Sequence, residues 1–295
     1  GNGIFHEPIA FSAPAILREV RWLADPTLGR GILRLFFDNL RQNGMVPGRV
    51  YMTSMTGTDF YHADWGGGFE SFDDVHPDRN LKRQVIMGMQ RYTKWLANNR
   101  DPEGSGLTDV CNHFEAGQEF SRRYTIIDEK ADRAEEFTEQ FRLKGIDVSV
   151  MRYRMVKFLS RVADEIQEKA MANRFIAASE VIQDTIRKKM WDDNAGIFMD
   201  MDPKTRRRTG VKAAVGFYPL ATDIPTPKQV DALLTTLGDR KEFWTKYPVP
   251  SLAISDPFFD ADGQWKGTRR NCPWNGRVWP MINSHVIEGL CYHAE

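Results

Sequence analysis

Between residues 151 and 190 apolar side chains return at three- and four-residue steps: Met151, Met155, Phe158, Val162 and Ile166, then Met171, Phe175, Ala178, Ile182, Ile186 and Met190. That spacing draws one apolar stripe along a helix, so the segment predicts two helices in succession, each needing a partner surface. Weaker versions of the pattern predict helices near 14–25, 27–42, 79–99, 227–238 and 280–293. The last but one has a start signal, because Thr226-Pro227 places a capping hydroxyl ahead of a proline tolerated in the first turn. Strand-like alternation is brief, as in Ile197-Phe198-Met199. The stretches "FFDNLRQNGMVPG", "WLANNRDPEGSG" and "MWDDNAGIFMD" each close a helix with a polar Asp/Asn/Gly turn. The expectation is an all-α fold of helical hairpins in a ring or solenoid, with small β-hairpins. No low-complexity linker interrupts the chain, so residues 1–295 read as a single domain.

Lys plus Arg and Asp plus Glu number 40 each. This balance gives no general attraction for nucleic acid or an anionic membrane, and no apolar run is long enough to span one. Arg206-Arg207-Arg208 reads as a solvated turn. Cys111, Cys272 and Cys291 are far apart and fit neither a disulfide framework nor a zinc site, so they read as reduced structural thiols. The six histidines show no metal-ligand spacing, and no phosphate loop or nucleophile elbow is present. Neither a metal nor another cofactor is expected. The chain begins at Gly1 rather than Met, which leaves a processed or excised N-terminus open.

Long segments separate the helices at 43–78, 100–125, 200–225 and 240–280. Loops of this length in a compact domain tend to carry function. Theirs is a mixture of aromatic and polar residues, "DFYHADWGGGFESFDD", "GLTDVCNHFEAGQEFSRRY" and "RRNCPWNGRVWPMIN", suited to a polyhydroxylated ligand. Aromatic rings stack on the apolar face of a sugar. Within "FEAGQEFSRRY", Glu115 and Glu119 would share one face if 114–121 were helical, and their repulsion would raise one pKa. A solvated acidic turn paired with its own arginines is the competing reading. In "HADWGGGFE" three glycines would let the backbone approach a ligand; a flexible surface loop is the alternative.

These stretches resemble the trehalase and glucosidase-I-like glycoside hydrolases of clan G, families 37 and 63. "PWNGRVWPMIN" (273–283) resembles their "YWRGxIWxxxN", with Trp274, Gly276, Trp279 and Asn283 matching and Asn275 in the place of Arg. "EAGQEFSRR" (115–123) resembles "ESGxDxSxR", with Glu119 in the place of the acidic aspartate. "GIDVSVMRY" and "AVGFYPLATDIPTPKQV" follow in the family's order. The resemblance implies an (α/α)6 toroid, a six-hairpin barrel that this chain would form incompletely, either as a fragment trimmed at both ends or as a divergent, non-catalytic relative. It also implies inverting hydrolysis of an α-linked glucoside or related oligosaccharide.

An inverting glycosidase uses one carboxylic acid to protonate the glycosidic oxygen and a carboxylate roughly 6.5–9.5 Å away to activate water. The resemblance makes Glu119 the general acid, with Glu115 or Asp109 as alternatives. It places the base downstream, outside these residues; Asp64, Glu70, Asp73 and Asp74 are the candidates within the chain. Trp65, Asp64, Arg123, Trp274, Arg277, Trp279 and Asn283 are candidate substrate-binding residues. Asp147 reads as the N-cap of a helix beginning at Val148, with substrate binding as the alternative. Two other functions stay open: a sugar epimerase or isomerase of the same architecture using His62, His113 and His285 as acid and base, and a carbohydrate-binding toroid without turnover.

Overall fold

The computed structural model describes residues 7–50, 59–133 and 137–294. Gly1, Glu295 and the 51–58 part of the expected 43–78 loop lie outside them. Among the described residues the helices are α1 (Ala13–Val20), α2 (Thr27–Phe37), α3 (Trp65–Asp73), α4 (Arg79–Arg100), α5 (Arg122–Thr125), α6 (Ile146–Glu165), α7 (Lys169–Thr185), α8 (Pro227–Gly238) and α9 (Pro280–Tyr292). The chain folds as two compact units. One comprises the residues up to Ser105 with Glu115–Gly117 and Met151–Val181; the other comprises Gly106–Phe114, Gln118–Val150 and the residues from Ile182 onward.

The first unit is built mainly on helices among the described residues. Asp78 starts α4 by accepting hydrogen bonds from the Asn80 and Leu81 amides, both at 3.0 Å. The helix stops at Arg100, before Asp101-Pro102, where the proline disfavours continued helical backbone. The α3 segment departs from expectation, since "WGGGFESFD" is neither an open loop nor a ligand-facing surface but a helix buried along most of its length. Glycine is a poor helix former, so tertiary packing must supply the stability. A Cβ at Gly68 would come within 2.7 Å of Pro14 on α1, and one at Gly66 would strike the Met155 backbone of α6. The glycines therefore allow two helices to lie against α3 closer than any side chain permits. Trp65, expected to stack on a ligand, is fully buried with ring centroids 5.0 Å from Phe36 and 5.1 Å from Phe37.

The second unit mixes helices with short antiparallel ribbons. Asp109–Val110 (β1), Leu143–Lys144 (β2), Met201–Asp202 (β5) and Arg207–Arg208 (β6) form a four-stranded sheet in that order. Trp191–Asp192 (β3) pairs with Ile197–Phe198 (β4), where alternation was expected, and Gln264–Trp265 (β7) pairs with Thr268–Arg269 (β8). Of the arginine triplet, Arg206 sits in the turn between β5 and β6 and the other two form β6; all three are exposed. Thr226 caps α8 in a reciprocal arrangement with Gln229. A buried 3₁₀ helix, Ala214–Ala221, packs on α9. No helix among the described residues is long and apolar enough to cross a membrane.

Candidate functional site

The site is best built from Arg123, whose burial is nearly complete. Its Nε and Nη2 donate to Asp200 at 2.7 and 2.9 Å, its Nη1 and Nη2 donate to Asp147 at 2.8 Å each, and Nη1 also donates to Gln118 at 2.8 Å. Those five bonds use every N–H of the guanidinium. Arg123 therefore has no donor left for a sugar hydroxyl and serves as a fastening point. Asp147 lies within the first turn of α6, which begins at Ile146 and not at Val148. Asp200 accepts the Ile146 amide at 2.9 Å, supporting the helix start from outside.

Gln118, held by Arg123 and Asp147, immediately precedes Glu119. The 114–121 segment is not helical; Phe120 turns it with φ of 53°, and Ser121 caps α5. Glu115 and Glu119 thus share no helix face, and their environments push their pKa values apart. The Glu119 carboxyl is held above the ordinary glutamate value by burial, which its own backbone amide, the Cys272 thiol and the nearby Trp274 indole offset only in part. The neighbouring arginines do not counter this. Arg123 is committed to its aspartates, and the Arg122 guanidinium lies 4.5 Å from the centre of the Phe258 ring.

Burial also acts on Glu115, but it is outweighed by His62 and Arg100, which hold the carboxyl below the ordinary value. Arg100 makes a two-pronged contact at 2.6 and 3.1 Å, and His62 Nε2 lies 3.6 Å away. Such a carboxylate resists protonation. Asp109, the third candidate, is fully buried between Lys144 at 3.0 Å and Arg142 at 2.9 Å; burial pushes its pKa up against both cations.

The 272–283 segment meets Glu119 directly. The Trp274 amide donates to the Glu119 carbonyl at 3.0 Å, and the Cys272 thiol reaches the Glu119 carboxyl oxygen Oε2 at 3.5 Å. Trp274 and Trp279 stack with centroids 4.3 Å apart and planes 9° from parallel. Trp274 is buried, whereas Trp279 is half-buried on the wall of a cavity of about 790 Å³ shared with Lys246, Tyr247, Phe259 and Arg277. Glu119 is not on that wall; Trp274 connects it to the cavity through its amide and its ring. The path of the segment requires Gly276, whose φ is 150° and where a Cβ would meet the Asp260 carbonyl at 2.6 Å. Asn275, standing where the resembled family has arginine, donates instead to the Phe258 and Gln264 carbonyls at 3.0 and 2.9 Å. Arg277 donates to the Asp262 and Asn271 carbonyls. Asn283 clasps Val249 from both sides, accepting from its amide at 3.0 Å and donating to its carbonyl at 3.4 Å.

The remaining candidates lie in the helical unit. Asp64 caps α3 through the Gly67 amide at 3.1 Å and is paired with Arg18 and, at 3.1 Å, with Arg154. Asp73 pairs with Lys82 at 2.9 Å. Glu70 and Asp74 both face Arg161, and burial holds Glu70 above its ordinary value. The three histidines weighed as acid and base are all buried: His62 beside Glu115, His113 against Phe114 and Phe120, and His285 against Tyr218. Among the described residues no three His, Cys, Asp or Glu side chains gather as a metal site would require. Sequence reasoning missed Gln118, Asp200, Arg100 and Cys272. Two of them carried a signal: Gln118 lies inside the 115–123 motif, and Cys272 immediately precedes the 273–283 motif.

The model of the mannosylglycerate hydrolase MGH1-like glycoside hydrolase domain matches residues 8–295. A mannosylglycerate hydrolase of Thermus thermophilus is 23% identical over 265 residues, covering 75% of this chain and 61% of that protein. The chain thus spans less than two thirds of that relative's length. Among solved structures, the family-63 mannosylglycerate hydrolase of Thermus thermophilus in complex with glucose superposes with a TM-score of 0.79 at 19% identity, covering 99% of this chain and 82% of that one. Neutral trehalase of Saccharomyces cerevisiae superposes with a TM-score of 0.72 at 14% identity, covering 99% and 62%. The helical fold is that of these glycosidases, and with the family match running from residue 8 to the last, the chain belongs to the MGH1-like glycoside hydrolase domain family.

Proposed function

We propose that the chain supplies the general acid and part of the sugar site of an inverting glycoside hydrolase, as one (α/α)6 catalytic-type domain. The observation that carries this reading is the contrast between two glutamates four residues apart. Burial raises the Glu119 pKa above the ordinary glutamate value, while His62 and Arg100 hold that of Glu115 below it. A general acid must carry its proton near neutral pH, and an apolar surround favours that form. Glu119 is therefore the acid and Glu115 a structural anion.

Trp279 and Arg277 are the sugar-facing residues in this reading, because they line the cavity next to Trp274. Trp274 and Asn283 support them from behind. Asp64, Trp65 and Arg123 act through the fold and not on substrate. The acid requires a second carboxylate to activate water on the opposite face of the sugar. The substrate is an α-linked sugar. The relatives' names put mannosylglycerate and trehalose first among compounds to test, ahead of other α-glucosides.

Proton NMR of the anomeric signals tests the reading with the wild-type chain and Glu119→Gln. Turnover with inversion that disappears in the variant supports it. Turnover unchanged in Glu119→Gln overturns the acid assignment. Absence of both turnover and binding with every sugar tested overturns the sugar-site assignment.

A further inference from the structure

Cys272 has no part in the mechanism above, yet its half-buried thiol touches the one carboxyl that the reading makes catalytic. Burial and the nearby Glu119 charge push the thiol up to about 11, so at neutral pH it is an S–H group and not a thiolate. Beside it the Trp274 indole N–H is buried and lies close enough to act on the same carboxyl, while falling short of hydrogen-bond geometry. Both groups are donors. Other charged or titratable groups here are Tyr124, which feels the Glu119 charge, and Arg277, which acts on the thiol.

We propose that Cys272 is a positioning residue for Glu119: its S–H donates to Oε2 and thereby places the transferable proton on Oε1. A protonated carboxyl has one hydroxyl oxygen, a poor acceptor, and one carbonyl oxygen, a good one. Acceptance at Oε2 makes that atom the carbonyl oxygen. The proton then resides on Oε1, and the acid presents one defined oxygen to the glycosidic bond. The thiol never gains or loses a proton in the step.

This inference rests on Glu119 being the proton donor, but its test does not need turnover. The side-chain carboxyl of Glu119, labelled with ¹³C and assigned by its absence in Glu119→Gln, is titrated in the wild type, Cys272→Ala and Cys272→Ser. Losing the S–H removes support for the ionised form, so the alanine midpoint moves up. The stronger O–H donor moves the serine midpoint down, leaving the wild type between the two. A role in packing alone would move both variants the same way or neither, and either result overturns the proposal. A second readout uses the wild type only. The Cys272 S–H infrared stretch, assigned by its loss in Cys272→Ser, falls in frequency as Glu119 ionises; a band that stays fixed across that titration overturns the proposal. Failure of Glu119→Gln to abolish turnover, with the midpoint order intact, would sink the acid assignment and leave the hydrogen bond standing.

Discussion

Arg123 and Asp200, 77 residues apart in sequence, face each other through two parallel hydrogen bonds of 2.7 and 2.9 Å, both residues almost completely buried. Asp147 closes the other side of the same guanidinium. Removing Asp200 as Asp200→Ala leaves a buried cation with one of its two carboxylates and three of its five hydrogen bonds, and deprives the start of α6 of its acceptor. Breaking a buried pair on one side costs about 3–5 kcal/mol. Urea unfolding is expected to show a loss of that size, with Arg123→Lys also strongly destabilised because an ammonium has three donors where five are used.

Two glycines in neighbouring helices should respond oppositely to alanine. Gly68→Ala drives a methyl into Pro14 and should destabilise by about 1–3 kcal/mol through overpacking. Gly31 in α2 is exposed with nothing within 4 Å of a Cβ, so Gly31→Ala should stabilise by about 0.5–1 kcal/mol. Thermal unfolding of the pair decides whether close helix approach explains the glycine run.

The two glutamates predict opposite pH signatures. Glu115 has a depressed folded pKa, so its stabilisation is present above the unfolded value of about 4.3 and is lost as pH falls through the lower folded value. Glu119 has a raised folded pKa, so its ionisation opposes folding as pH rises from the unfolded value through the folded one. Glu115→Gln should therefore weaken the fold at pH 7, less so in acid. Glu119→Gln should strengthen it at pH 7 and lose that advantage below the unfolded value. Unfolding curves at a series of pH values measure both differences, and equal slopes for the two variants would contradict the assignment.

Trp274 and Trp279 form one stack but differ in exposure. Trp274→Ala empties a buried site and should cost about 3–5 kcal/mol in stability. Trp279→Ala opens the cavity wall, with a smaller effect on folding and a roughly two- to tenfold loss of sugar affinity, matching a stacking contribution of about 0.5–1.5 kcal/mol. Calorimetric titration with a bound sugar, alongside unfolding, separates the two roles.

Much of the helical framework was legible because its signals are local. The stripe from Met151 to Met190, the Thr226-Pro227 start and the brief Ile197-Phe198 strand all report on residues within a few positions of one another. α3 was not legible. Its glycines argue against a helix on propensity, and the reason they are there, Pro14 and Met155, lies far away in sequence. The same distance hid the part played by Arg123, whose aspartates are 24 and 77 residues downstream. The resemblance to the family's motif singled out Glu119, and its distinction from Glu115 came only with the burial and partners of each. The aromatic content suggested sugar platforms generally, but Trp65 is core while Trp279 lies on a cavity; exposure separates them, and composition carries no exposure.

The glycine face of α3 has a consequence for length as well as for composition. A helix turns about 100° per residue, so a single insertion or deletion between Asp64 and Gly66 would swing that face away from both Pro14 and the Met155 backbone. A bulky neighbour would then arrive where only hydrogen fits, and Trp65 would leave its seat between Phe36 and Phe37. The residue count from the Asp64 cap to Gly68 is therefore fixed by geometry. A library that varies the length of the 43–78 segment should find its tolerated insertions before Asp64 and none between Asp64 and Gly68.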